Sequence, residues 1–213
     1  MLKFSSKKFV SILLLTAVVG GGLVACAPVI IGGAVMTSLV ATDRRTAGIQ
    51  VEDEGIELRS ATALRDYIGD RAHINVTSYN RQVLLTGEAP TEQDRQLAER
   101  VVTKIENVRS IVNEIAVLGN ATLTQRTSDV LVTGRVKAGM IDARDVYTNA
   151  FKVVTERGTT YLMGRVSQRE ADRATEVARA TSGVQKVVRV LEIISEEELK
   201  NIMPKPSANE VPL

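Results

Sequence analysis

The sequence predicts an α+β fold, two tandem αββαβ two-layer sandwiches behind a cleaved export signal. Three observations lead there. An internal repeat relates Val83-Leu84-Leu85-Thr86-Gly87 to Thr160-Tyr161-Leu162-Met163-Gly164 at an offset of 77 residues. On both sides of that match the hydrophobic period switches between 2 and 3.6 in the same order. The composition fits a packed chain: 44% of the 213 residues are hydrophobic but only 3% are aromatic, so the cores are built from Val, Ile, Leu and Ala.

The first copy opens with a helix whose apolar stripe is read as Leu58, Ala61, Leu64 and Ile68. Ile74 to Thr77 alternates as a half-buried strand, Asn80-Arg81 supplies a hairpin turn, and Val83 to Gly87 forms the second strand. Thr91 stands where a helix N-cap belongs, Ala98, Val101, Val102 and Ile105 share one helical face, and the helix exits near Asn107-Val108. Ile111 to Val117 then reads as a third strand. In the second copy Val132, Val136 and Met140 mark the first helix, although Gly134 and Gly139 each cost about 1 kcal/mol in a helix interior. Phe151 to Thr155, the turn Arg157-Gly158 and Thr160 to Gly164 repeat the hairpin. Ser167 and Glu170 have capping-box spacing, and Ala171, Ala174, Val177, Ala178 and Thr181 share the next helical face. Gly183-Val184 ends it, and Val187 to Ile193 closes the copy. Three strands with two helices on one face bury a core on one side only.

The polar, Thr-rich segment 118–127 reads as a linker short enough for the two units to touch or nearly touch. The chain thus divides into a signal (1–25), an acylated N-terminus and tether (26–48), two domains (49–117 and 128–194) and a tail (195–213). In the tail a Glu-rich stretch reads as a short helix to Met203, and the last ten residues as disordered.

Lys3, Lys7 and Lys8 precede an uncharged apolar run from Phe9 to Ala25, the pattern of an export signal. Leu23-Val24-Ala25-Cys26 resembles the lipobox of bacterial lipoproteins, which implies acylation of Cys26 and cleavage just before it. Each buried acyl CH₂ contributes about 0.8 kcal/mol, so several chains anchor a protein without a span. The apolar stretch 27–41 is short of the roughly 20 residues a spanning helix needs and reads as a membrane-hugging tether. Ala27 stands where Asp would signal inner-membrane retention in enteric bacteria. The expected location is therefore the outer membrane, facing the periplasm.

One Cys and one His disfavour a disulfide framework, a His/Cys metal centre and a His-dependent triad. Trp is absent and export removes nucleic acid as a partner. The chain is expected to be no enzyme, with no catalytic residues, no metal and no cofactor. Charge divides unevenly: residues 49–117 hold 8 basic and 12 acidic residues, a net −4, whereas residues 120–194 hold 12 and 8, a net +4. A basic module held near a bilayer is drawn to anionic head groups, each basic residue contributing on the order of 1 kcal/mol. Arg44-Arg45, beside the apolar tether, is either a solvated pair or a head-group contact, with the membrane reading preferred. His73 is read as a strand-edge residue, Asp142 and Asp145 as turn formers, and Gly87 and Gly164 as backbone requirements at strand ends. Gly20-Gly21-Gly22 and Gly32-Gly33 do not follow a strand and open a helix, so neither is a phosphate loop.

The αββαβ unit, with Val83-Leu84-Leu85-Thr86-Gly87 and Asn107-Val108 in copy one and Tyr161-Leu162-Met163-Gly164 and Ser182-Gly183-Val184 in copy two, resembles the BON domain. Two such units behind a lipobox resemble the dual-BON outer-membrane lipoproteins, as do residues 41–50 and Ala72-His73-Ile74-Asn75-Val76-Thr77-Ser78-Tyr79. The resemblance implies a non-enzymatic lipoprotein that binds anionic phospholipid (phosphatidylglycerol, cardiolipin), concentrates at the division site and supports outer-membrane integrity. It places the lipid contact on the first helix of the second domain, about Asp129 to Ile141, with Val130, Leu131, Gly134, Arg135, Lys137, Ala138 and Ile141 as contact residues. Relatives of this type carry a Trp near the position of Leu131. This chain has none, which lowers the affinity expected at the head-group interface. The alternative is a structural adaptor that binds another envelope protein through the acidic first domain.

Overall fold

The computed structural model describes residues 43–202. The export signal, Cys26, the two glycine clusters, the tether as far as residue 42, and residues 203–213 lie outside the described residues. The elements run α1 (Ala47–Tyr67), β1 (His73–Tyr79), β2 (Gln82–Ala89), α2 (Glu92–Thr103), β3 (Ser110–Asn113), β4 (Ala116–Val117), α3 (Leu123–Asp142), β5 (Phe151–Glu156), β6 (Thr159–Ser167), α4 (Gln168–Ala180), β7 (Lys186–Ile194) and α5 (Glu196–Ile202). The αββαβ order therefore occurs twice, and the fold is the expected α+β.

In each copy the second strand is central. β2 pairs antiparallel with β1 and parallel with β3 and β4; β6 pairs antiparallel with β5 and parallel with β7. A parallel neighbour needs a crossover, which α2 and α4 provide. Both hairpins turn on two residues in the left-handed region, Asn80 (φ 51) with Arg81 (φ 63), and Arg157 (φ 51) with Gly158 (φ 74). That is the two-residue turn whose twist matches the flanking strands.

The third strand of copy one is not continuous. Pairing runs to Leu85 opposite Asn113, lapses, and resumes at Glu88 opposite Ala116 in the same register. The gap faces Gly87, whose φ of +107 takes β2 out of the extended region, and a Cβ there would stand 2.0 Å from the His73 carbonyl oxygen. Ile115 uses the lapse to enter the core. At Gly164 a Cβ would stand 2.5 Å from the Ala150 carbonyl oxygen, but β7 stays paired throughout. Both glycines are thus demanded by a close backbone approach at the edge of the hairpin.

One core lies between α1, α2 and their sheet (Ile56, Leu64, Val83, Leu85, Ala98, Val102), the other between α3, α4 and theirs (Val132, Val136, Met140, Leu162, Val166, Ala174). The stripe expected on α3 is the buried one. That of α1 is rotated: Ile56, Ser60 and Leu64 face the sheet, whereas Leu58 is 71% exposed and Ala61 is also exposed. The cause is Asp53, on the same face one turn earlier. Its carboxylate must reach the β1–β2 turn, which fixes the helix rotation and leaves small Ser60 against the sheet. Ile105 also falls past the end of α2, half-buried.

Helix α3 starts at Leu123, inside the stretch read as a polar linker, because Thr122 and Gln125 form a reciprocal capping box there. Segment 196–202, within the expected tail, is helical as expected, and its Leu199 is buried.

The strand faces turned away from the helices meet each other. Tyr79, Leu84, Tyr161, Met163 and Val190 form a third apolar cluster, with Val112 and Val188 against it. The layers are therefore α/β/β/α. Around this cluster Lys152 reaches Glu57 at 2.6 Å, Asn80 donates to Glu192 at 2.8 Å, Arg109 pairs with Glu192 at 3.1 Å, and the Tyr79 hydroxyl donates to the Ala150 carbonyl at 3.3 Å.

Candidate functional site

Helix α3 has two faces that obey different rules. Asp129, Val132, Val136 and Met140 recur at helical spacing and are buried. On the opposite side Leu123, Val130, Leu131 and Ile141 are 79%, 71%, 56% and 65% exposed. Gly134 and Ala138 lie between them, also exposed, and a Cβ built on Gly134 meets nothing within 4 Å. Arg135 and Lys137 are exposed on opposite flanks of this stripe. Arg135 bends toward the end of α4, with one guanidinium N–H on the Ser182 carbonyl at 3.5 Å. Lys137 borders an open groove of about 400 Å³ shared with Asp43, Arg45, Gln50, Tyr79 and Lys152. All seven residues expected to touch lipid are thus on one accessible helix face.

What holds that face outward is a buried carboxylate at the inner edge of α3. Asp129 accepts the Arg157 and Gly158 backbone N–H groups at 2.8 and 2.9 Å, clasping the β5–β6 turn. Asp53 does the same in copy one, accepting from the Asn80 and Arg81 N–H groups and the Ser78 hydroxyl at 2.7–2.8 Å. Sequence reading missed both. The signal was available: the two Asp residues are 76 apart, within one residue of the repeat offset, and each precedes a two-residue turn whose amides need acceptors.

The Arg pair before α1 is not a head-group contact. Arg44 makes a two-pronged contact with Glu170, at 2.6 and 2.8 Å, and both side chains are almost fully buried. Arg45 pairs with Asp43 and Asp53 and lies over the Tyr79 ring, 4.3 Å from its centroid. Burial alone would lower the Arg45 pKa, but its hydrogen bonds to Asp43 and Asp53 outweigh it and raise it. Burial also pushes the Tyr79 phenol up to about 12. Burial works against the Glu170 carboxylate too, yet Arg44 and Ser167 hold its pKa below the usual 4.5. These arginines dock the segment just before α1 onto the rest of the described residues.

Part of the net +4 of the second copy is likewise spent internally, since Lys152 and Arg157 pair with Glu57 and Glu88 of the first. Asp145 pairs with Arg173 at 2.9 Å, and Arg144 beside it is left-handed, in keeping with a turn. His73 opens β1, with Glu88 directly across the ladder and Glu156 of the other sheet beside it. Burial raises the Glu156 carboxyl above its usual value; a hydrogen bond from Asn75 opposes this and the nearby Glu88 charge adds to it. Among the described residues no helix is long and apolar enough to cross a membrane.

A family profile for the BON domain matches residues 52–119 and again 128–195. The chain is 33% identical over 171 residues to the outer membrane lipoprotein DolP of Haemophilus influenzae, covering 79% of this chain and 89% of that protein. It is 37% identical over 154 residues to the 21 kDa hemolysin of Actinobacillus pleuropneumoniae, covering 71% and 79%. It is also 27% identical over 141 residues to the osmotically-inducible protein Y of Escherichia coli, covering 64% and 70%. With two family matches that coincide with the two αββαβ copies, the chain belongs to the BON-domain family and is a dual-BON, DolP-like protein.

Proposed function

We propose that this protein is a non-enzymatic, lipid-anchored lipoprotein of the outer membrane, facing the periplasm, that reads anionic phospholipid with the outward face of α3. The observation that carries the reading is that face itself: Val130, Leu131 and Ile141 exposed in one stripe, with Arg135 and Lys137 on its flanks. The name of the H. influenzae relative supports the outer-membrane placement. In this reading acylated Cys26 supplies the permanent anchor and α3 a second, reversible contact. Leu131 and Ile141 enter the head-group boundary, gaining about 25 cal/mol per Å² of apolar surface withdrawn from water. Arg135 and Lys137 then lie at phosphate depth, where each contributes on the order of 1 kcal/mol. Leu131 lacks the amphipathic indole of Trp, so the contact is the weaker kind and depends on both contributions together.

Sedimentation of residues 43–213 with vesicles tests the proposal. Binding is expected to vesicles containing phosphatidylglycerol or cardiolipin but not to neutral ones, to weaken with added salt, and to fall on Arg135→Glu and on Leu131→Asp. Binding that ignores salt and both substitutions contradicts the assignment. Absence of binding to any vesicle transfers the role to a protein-binding adaptor.

A further inference from the structure

The layer between the two sheets holds one cluster that neither the apolar packing nor the α3 face uses. His73 and Glu88 are directly opposed on the β1–β2 ladder, so both side chains leave the sheet on the same side, toward the other sheet. That sheet brings Glu156, the last residue of β5. One ligand atom from each, an imidazole nitrogen and two carboxylate oxygens, lie within 4.8 Å of one another. Glu88 is fully buried and its Oε2 has no hydrogen-bond partner; the buried Nδ1 of His73 has none either. Leaving such groups unsatisfied is costly, more so when two carboxylates face each other.

The surroundings orient these groups. Arg157 donates to Glu88 Oε1 at 3.3 Å and thereby aims Oε2 at His73, and the Asn75 amide donates to Glu156 Oε2 at 2.8 Å. Outer partners of this kind orient the ligands of metal sites. Ligand atoms about 2.0–2.2 Å from a tetrahedral ion stand roughly 3.4 Å apart. His73 Nδ1 and Glu88 Oε2 already stand 3.5 Å apart. The cluster opens onto a cavity of about 370 Å³ that His73, Asn75, Asp129 and Glu156 help to line, with room for a water as fourth ligand.

We propose that His73, Glu88 and Glu156 form a site for a divalent transition-metal ion of the zinc type. One imidazole with two carboxylates suits Zn²⁺, whereas Ca²⁺ and Mg²⁺ prefer all-oxygen shells. Two ligands come from the first BON domain and one from the second, so the ion clamps one sheet to the other. Metal loading then sets how firmly the domains are joined.

The test is calorimetric titration of the full chain, purified in detergent and stripped with EDTA, with Zn²⁺. One equivalent is expected to bind and raise Tm, and Mg²⁺ at the same concentration is expected to do neither. His73→Ala and Glu156→Gln are each expected to weaken Zn²⁺ affinity by about tenfold or more. Glu156→Gln keeps the side-chain volume and an acceptor for Asn75, so it leaves the fold in place. A readout on the unaltered chain is Co²⁺ absorption, expected to show tetrahedral nitrogen and oxygen ligation without a thiolate band. Failure of the unaltered chain to bind saturably overturns the proposal. So does unchanged affinity in both variants, or a Co²⁺ spectrum of six-coordinate, all-oxygen type.

Discussion

Single buried carboxylates organise this molecule. Asp53 and Asp129 each close a hairpin turn onto the helix before it, and Glu170 serves two purposes at once. It completes the capping box of α4 with Ser167 and receives Arg44 from the segment just before α1. Glu170→Gln keeps the cap but removes the ion pair, leaving Arg44 buried without its counter-charge. The expected cost is about 3 kcal/mol at neutral pH. Because Arg44 and Ser167 hold the Glu170 pKa below 4.5 against its burial, the unfolded chain takes up its proton first on acidification. The stability it adds is therefore complete above pH 4.5 and fades as pH falls through the lower folded value. Urea midpoints of the two proteins from pH 7 to pH 3 check this: the gap is expected to narrow below pH 4.5 and to stay constant above it.

At the scale of elements, α3 is the helix whose two faces are least alike in purpose. Its buried face was legible because Val132, Val136 and Met140 recur every fourth residue. Its central, mostly β-branched run Val130-Leu131-Val132-Thr133 and its two glycines argue against a helix on propensity alone, and packing against β5 and α4 overrides them. Gly134 lies on the outward face with open space around a Cβ, so Gly134→Ala is expected to stabilise the chain by about 1 kcal/mol. Thermal unfolding measures the gain, and vesicle sedimentation of the same variant is expected to show lipid binding retained. The stripe of α1 was misread because 3.6-residue periodicity leaves several rotations open. Asp53, a charged residue no apolar pattern includes, chose among them.

For the whole molecule, the decisive contact is sheet on sheet. Tyr79, Leu84, Tyr161, Met163 and Val190 join two units that are each complete αββαβ layers, and Leu84 is fully buried between them. The chain is expected to unfold in one cooperative transition for that reason. Leu84→Asp places a carboxylate in this apolar layer and is expected to cost several kcal/mol and to split the transition in two. Calorimetry separates the outcomes, and a single unshifted transition contradicts the role given to the interface. The same layer consumes Lys152 and Arg157 in pairs across it, so less of the second domain's positive charge is available to a membrane than its composition implies.

By itself the sequence determined the repeat, the element order, the hairpin turns, the helix caps at Thr91 and Ser167 and the membership of the BON family. All of these are local or periodic, written in spacings a few residues long. Tertiary structure alone decided the rotation of α1, the burial of Arg44 and Arg45, the docking of the two sheets and the meeting of His73 with Glu88 and Glu156. Those partners are brought together by pairing register and by packing between domains, and the energy of a buried charge depends on what stands across the interface from it. No spacing along the chain records that.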